Sequence, residues 1–144
     1  SKKLSKKRRQ ELYLPLIDAG IYAIGEASAE EIDEINILNA TKLAMKRAVD
    51  ALEARPDIVL VDGNMKFEDE RFISIIKGDS KIYSIAASSI IAKLYRDNLM
   101  EKISRQFPEY YFDKNSGYGT KQHIDAIRQH GLTNYHRKSF TKNY

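Results

Sequence analysis

The sequence predicts an α/β fold, a mixed sheet flanked by helices. Two observations carry this. The run "DIVLVDG" (residues 57–63) has strand length and no polar alternation, as a central strand covered on both faces has. Around it, stretches of helical spacing alternate with short apolar stretches, in the order α, β, α, β, β, α, α. The chain has 144 residues, 42% of them hydrophobic and 31% charged, which suits one ordinary domain, residues 1–144.

Each element has its own signal. Residues 5–16 read as a helix, with Leu12 and Leu16 four apart, ended by "DAG". "IYAIGEAS" (21–28) reads as a short apolar strand between Gly20 and Ser28. Ser28 followed by Glu31 is a capping box opening a helical turn. Asn36 caps a second, longer helix, residues 37–54, stopped by Pro56. "RFISIIKGD" (71–79) is a further strand. A long helix then spans residues 80–106, with a small-residue face in "SIAASSIIA" that allows close packing on a sheet, and Pro108 ends it. "KNSGYGT" is a glycine-rich turn, followed by a helix over 120–130 with Gly131 as its cap.

Composition excludes several function classes. Without cysteine there is no disulfide framework, thiolate metal site or cysteine nucleophile, in keeping with a reducing compartment. No apolar stretch approaches the roughly 18–20 residues a membrane span needs. No apolar segment follows the basic N-terminus as a signal peptide requires. There is no phosphate loop, nucleophile elbow or zinc-binding histidine spacing. The net charge is +4, unevenly placed: Lys2, Lys3, Lys6, Lys7, Arg8 and Arg9 crowd the start, and His136, Arg137, Lys138 and Lys142 the end. Basic ends around an acidic middle suit a polyanion such as nucleic acid, although a solvated helix start and a frayed tail look the same.

Three places could carry chemistry. Asp62 follows "IVLV" at the carboxyl end of a strand, where ligand sites of α/β sheets gather, and where an Asx-turn also belongs. Asp79 ends the next strand, and "GDS" is equally an N-cap signal. If the two face each other, their repulsion calls for a cation, and aspartates alone suit a hard ion such as Mg²⁺ or Mn²⁺. Tyr118 stands between Gly117 and Gly119, which let the backbone approach a ligand and could hold the ring for stacking on a base or sugar. An ordinary surface turn with a packed tyrosine is the alternative. His123 and His130 sit seven apart on one helix, and His136 lies in the basic tail.

The segments "SKKLS", "GEAS" with "EEIDEINIL" and "AT", "VDGN", "KGDSK" with "IAASSIIAK" and "RD", "GYGTKQH" and "HRKSF" follow one another in this order. Together they resemble ribonuclease HII, the type 2 ribonuclease H, over nearly the whole chain. The resemblance implies a ribonuclease-H-like mixed sheet flanked by helices. It implies an endoribonuclease that cuts the RNA strand of RNA–DNA hybrids and nicks duplex DNA on the 5′ side of an embedded ribonucleotide. Such enzymes hold two Mg²⁺ or Mn²⁺ ions on four carboxylates, of which Asp62 and Asp79 match two. The other two belong to an N-terminal "DEAGRG"-type motif that this sequence does not contain. Tyr118 matches the tyrosine that packs on the sugar beside the ribonucleotide and senses its 2′-hydroxyl. Gly117, Gly119 and Lys77 fall in the same substrate-binding motifs, and Lys2 and Lys3 match lysines near the nucleic-acid backbone. The expectation is a cytoplasmic enzyme, here without its N-terminal strands, which a partner chain or self-association would supply. The alternative is a catalytically incompetent fragment that still binds nucleic acid.

Overall fold

The computed structural model describes residues 4–142. Helix α1 (Lys6–Ala19) starts where Ser5 accepts a hydrogen bond from the Arg8 amide, and it runs on through Pro15 to Gly20, past the expected stop at Leu16. Helix α2 (Ala29–Asp50) opens on the reciprocal capping box: the Glu31 amide donates to the Ser28 hydroxyl at 3.1 Å, and the Ser28 amide to the Glu31 carboxylate at 2.9 Å. At Asn36 the backbone leaves helical geometry (φ 67°, ψ 164°). There Asn36 Oδ1 accepts from the Leu38 and Asn39 amides at 3.0 and 3.1 Å, restarting the helix as an N-cap does. The two helices expected around Asn36 are therefore one kinked element, and it ends at Asp50 rather than Ala54.

The expected strand over residues 21–28 does not form; these residues join no ladder, and Ile21 and Tyr22 are exposed. An apolar composition supplies strand propensity, but a strand exists only beside a partner.

Strands β1 (Val59–Asp62) and β2 (Phe72–Ile75) form as expected and pair in parallel, Val59 opposite Phe72 and Asp62 opposite Ile75. The nine residues 63–71 between them cross over without a helix. They are fastened to β2: the Phe67 ring stacks on Phe72 at 4.6 Å, and Ser74 Oγ donates to the Met65 carbonyl. Arg71 pairs with Asp69 at 2.6 Å.

A 3₁₀ turn, Gly78–Ser80, precedes helix α3 (Tyr83–Gln106), which begins three residues later than expected. A 3₁₀ turn at Pro108–Tyr110 and the one-turn helix α4 (Phe112–Asn115) lead to helix α5 (Lys121–His130). Thr120 caps α5, and Gly131, at φ 81°, closes it by donating to the Ile127 carbonyl. A last 3₁₀ turn spans Lys138–Phe140.

The chain divides into two compact units. One comprises Ser1–Gly25 and Met45–Leu94, the other Glu26–Ala44 and Tyr95–Tyr144. The first holds the parallel pair, with Val61, Ile85, Ile90, Ile91 and Leu94 buried. The second is built on a cluster of Met100, Ile103, Tyr110, Phe112, Ala126 and Ile127. Among the described residues no helix is long and apolar enough to cross a membrane.

Candidate functional site

In the first unit, strand alternation turns Val61 inward and leaves Asp62 exposed at the carboxyl end of β1. Lys77 adopts a left-handed conformation (φ 57°, ψ 38°) that reverses the chain after β2. This reversal aims the Gly78 amide at Asp62 Oδ1, 2.7 Å away. Gly78 is buried there, and a Cβ on it would lie 2.7 Å from Ile85 Cδ1, so a larger residue would have to displace that methyl. Asp79 follows directly, inside the 3₁₀ turn and half-buried. It does not stand at the mouth of α3, where the "GDS" capping signal would put it. Asp62, at the carboxyl end of β1, is thus hydrogen-bonded to the turn that carries Asp79, with exposed Lys77 at the start of that turn. Two carboxylates fit a hard divalent ion in kind, since both offer anionic oxygen and neither a softer donor. In number they are few: among the described residues no group of three potential histidine or carboxylate ligands occurs.

In the second unit, residues 115–118 build the tyrosine turn. Buried Asn115 donates from Nδ2 to the Tyr110 carbonyl at 2.6 Å and accepts from the Gly117 amide at 2.8 Å. Ser116 (φ 50°) and Gly117 (φ 80°) both lie in the left-handed region, and Arg96 Nη2 donates to the Ser116 carbonyl. The Tyr118 amide donates to Asn115 O at 2.9 Å, and the Tyr118 carbonyl accepts from the Thr120 amide at 2.8 Å. The backbone is pinned while the residue is 72% exposed, so the tyrosine is not packed. Gly119 is also exposed. Lys2 and Lys3 lie outside the described residues.

His136 departs from the sequence expectation. It is buried rather than part of a solvated tail, and its Nε2 lies 3.0 Å from Nε2 of buried His123. Burial, with the neighbouring His123, pushes its pKa down to about 4. Its signal was the return of a histidine at the head of "HRKSF", which charge alone made look like tail. Asn115 was also missed, though "KNSG" is a dense turn signal. Just beyond His136, the Asp33 carboxylate accepts from the Lys138 and Ser139 amides at 2.6 and 2.8 Å and from the Ser139 hydroxyl. These bonds, the Ser139 hydroxyl's first, hold Asp33 below the usual carboxylate range.

Comparison with known proteins places the chain in a family. Residues 1–143 match the sequence model of ribonuclease HII. The chain is 58% identical over 142 residues to ribonuclease HII of Rickettsia bellii (strain OSU 85-389), covering 99% of this chain and 72% of that protein. It is 59% identical over 140 residues to ribonuclease HII of Rickettsia rickettsii (strain Sheila Smith). A crystal structure of ribonuclease H2 from Pyrococcus horikoshii OT3 superposes with a TM-score of 0.74 at 28% identity, over 96% of this chain and 74% of that one. The chain belongs to the ribonuclease HII family, and by that family it is an enzyme, a ribonuclease.

Proposed function

We propose that residues 1–144 are the larger part of a metal-dependent endoribonuclease domain that cleaves the RNA strand of RNA–DNA hybrids and nicks duplex DNA on the 5′ side of an embedded ribonucleotide. The observation that carries this reading is the acid turn, where the Gly78 amide bound to Asp62 ties β1 to the residue before Asp79. Asp62 and Asp79 are the residues that would hold Mg²⁺ or Mn²⁺. A divalent ion held there supplies Lewis-acid stabilisation of the phosphate and a water acidic enough to attack at neutral pH. The chain's own residues do the rest. Asp62, oriented through Oδ1, keeps its carboxylate aimed out of the strand end. Lys77 stands ready for a phosphate oxygen. The Tyr118 ring, on its pinned turn between Gly117 and Gly119, offers an apolar face to the sugar beside the ribonucleotide, where the 2′-hydroxyl marks ribose.

The basic start of the chain supports a polyanionic partner. The first turn of α1 carries no acid and includes Lys6, Lys7 and Arg8, all exposed, at the positive end of the helix dipole. That placement is unfavourable for the helix alone and favourable once phosphates approach. Lys2 and Lys3 extend the same charge. The absence of cysteine is in keeping with a cytoplasmic location.

The test is a nicking assay on a duplex with one embedded ribonucleotide, at millimolar Mg²⁺ or Mn²⁺ and with excess chelator as control. Chelator-sensitive nicking 5′ of the ribonucleotide supports the proposal; nicking that ignores the chelator or the ribonucleotide refutes it. A second reading is favoured by the small donor set: Asp62 and Asp79 alone hold the ion weakly, and the 144-residue chain binds duplex without cutting it. A segment carrying further carboxylates, on a partner chain or a second copy, would then complete the site. Restored cleavage on adding such a segment distinguishes the two readings.

A further inference from the structure

Within the second unit, the His123–His136 pair reaches the tyrosine turn. His123 Nδ1 is 2.9 Å from the Tyr118 carbonyl, and His136 Nδ1 is 2.9 Å from both the Thr133 amide and the Thr133 hydroxyl. The chemistry of the two ends decides where the protons sit. A backbone amide can only donate, so His136 Nδ1 carries a lone pair and its proton is on Nε2. That N–H points at His123 Nε2, which must accept, so the His123 proton is on Nδ1. A carbonyl can only accept, and the Tyr118 carbonyl is what His123 Nδ1 faces. Both ends thus impose the same direction: Thr133 N–H to His136, His136 to His123, His123 to Tyr118 O. The chain closes only when both rings are neutral, because one added proton sets two donors face to face.

We propose that His123 and His136 are positioning residues, a neutral one-way hydrogen-bond chain that fixes the Tyr118 turn so that its exposed ring is presented to the sugar of the nucleic acid. The proposal rests on the reading of Tyr118 given above. The groups around the pair agree with it. The Tyr110 ring lies 5.0 Å from His136 and the Phe112 ring 5.3 Å from His123. The Tyr110 hydroxyl is occupied by the Gly131 carbonyl. The further titratable groups are His130, against Tyr110, and Glu109, which acts on the Tyr110 hydroxyl. Among the described residues no carboxylate is hydrogen-bonded to or paired with either ring, and the low pKa of His136 follows from its burial and from the neighbouring His123. With its carbonyl held by both His123 Nδ1 and the Thr120 amide, the Tyr118 backbone has little freedom to turn its ring away.

The experiment has two parts. Long-range proton–nitrogen spectra of the labelled protein at about pH 6 should show both rings neutral, His123 protonated on Nδ1 and His136 on Nε2. The opposite tautomer in either ring, or a charged His136 at that pH, overturns the chain. The second part compares affinity for a duplex with one embedded ribonucleotide against the all-DNA duplex. His123→Leu should cut that preference by about tenfold, the loss of one well-placed hydrogen bond. His123→Asn, whose Nδ2 occupies the place of Nδ1, should keep it within about threefold. If His123→Leu does not fold, His123→Gln carries the comparison, since it meets His136 but offers Tyr118 no donor. A folded Leu or Gln variant with full preference, or an Asn variant no better than Leu, overturns the proposal. Tyr118→Ala separates the two ideas. No effect there overturns the sugar reading and the positioning role with it, while a large effect beside silent histidine variants overturns the histidine chain alone.

Discussion

Asp62, Gly78 and His136 show what single residues contribute here. Asp62 spends one oxygen on the Gly78 amide, so its replacement tests function against structure cleanly. Asp62→Asn keeps a carbonyl oxygen for that amide and loses the charge. In the protein carrying this chain it should lower cleavage by about a hundredfold or more, while duplex affinity stays within about threefold, read from nicking rates and a binding titration. Loss of binding together with cleavage would give Asp62 a structural role instead. Gly78→Ala meets the terminal methyl of buried Ile85, which must shift within the core to make room. It should cost about 1–3 kcal/mol, seen as a lower midpoint in urea, and disturb the Asp62 bond with it. At this scale the sequence was legible where local chemistry decides. Ser28, Glu31, Asn36 and Gly131 all cap the helices that their identities announced, and Thr120, read as the first residue of its helix, is its N-cap. His136 was not legible, because its environment is made by residues 13 positions away, and no local pattern records such a contact.

The elements divide in the same way. β1 was readable from an unbroken apolar run and β2 from a short one interrupted by Ser74, α3 from its length and the stop at Pro108, and α5 from Gly131 at its end. The stretch 21–28 was misread, since its apolar residues meet the propensity of a strand but not its requirement for a neighbour. The break in α2 gives a measurable consequence. Asn36 holds a positive φ and caps the second half of the helix at once. Asn36→Ala loses the cap while its Cβ, like that of asparagine, stays in a disfavoured conformation, and should cost about 1–2 kcal/mol. Asn36→Gly loses only the cap and should cost less, so in thermal unfolding the glycine variant lies between the wild type and alanine.

For the whole molecule, charge and protonation give two further expectations. His136 binds its proton at about 4 in the folded chain and near 6.5 once unfolded. The unfolded chain therefore takes up more protons between those values. The stabilisation from keeping this histidine neutral is intact above about pH 6.5 and is lost as the pH falls towards 4, on the order of 3 kcal/mol in all. Asp33 and Asp69, both held below their usual values, add losses of the same sign lower still. Melting temperatures should fall steadily from neutral to mildly acid pH, and His136→Phe should flatten the upper part of that fall. With a net charge of +4 and its basic start, the chain should bind duplex with an affinity whose logarithm falls linearly with that of the salt concentration, and with little preference among base sequences.

The crossover between β1 and β2 also bears on time. Most parallel neighbours wait for a helix to form and dock before they can meet, but these two are separated by only nine residues, already clasped to β2 by Phe67 and Met65. Loops of about this size close in roughly 10–100 ns, and Asp79 lies only four residues past the end of β2. The strand end that carries Asp62 and the turn that carries Asp79 are therefore close along the chain as well as joined by a hydrogen bond. Nascent chain emerging from the ribosome could bring them together before α3 and α5 have been made.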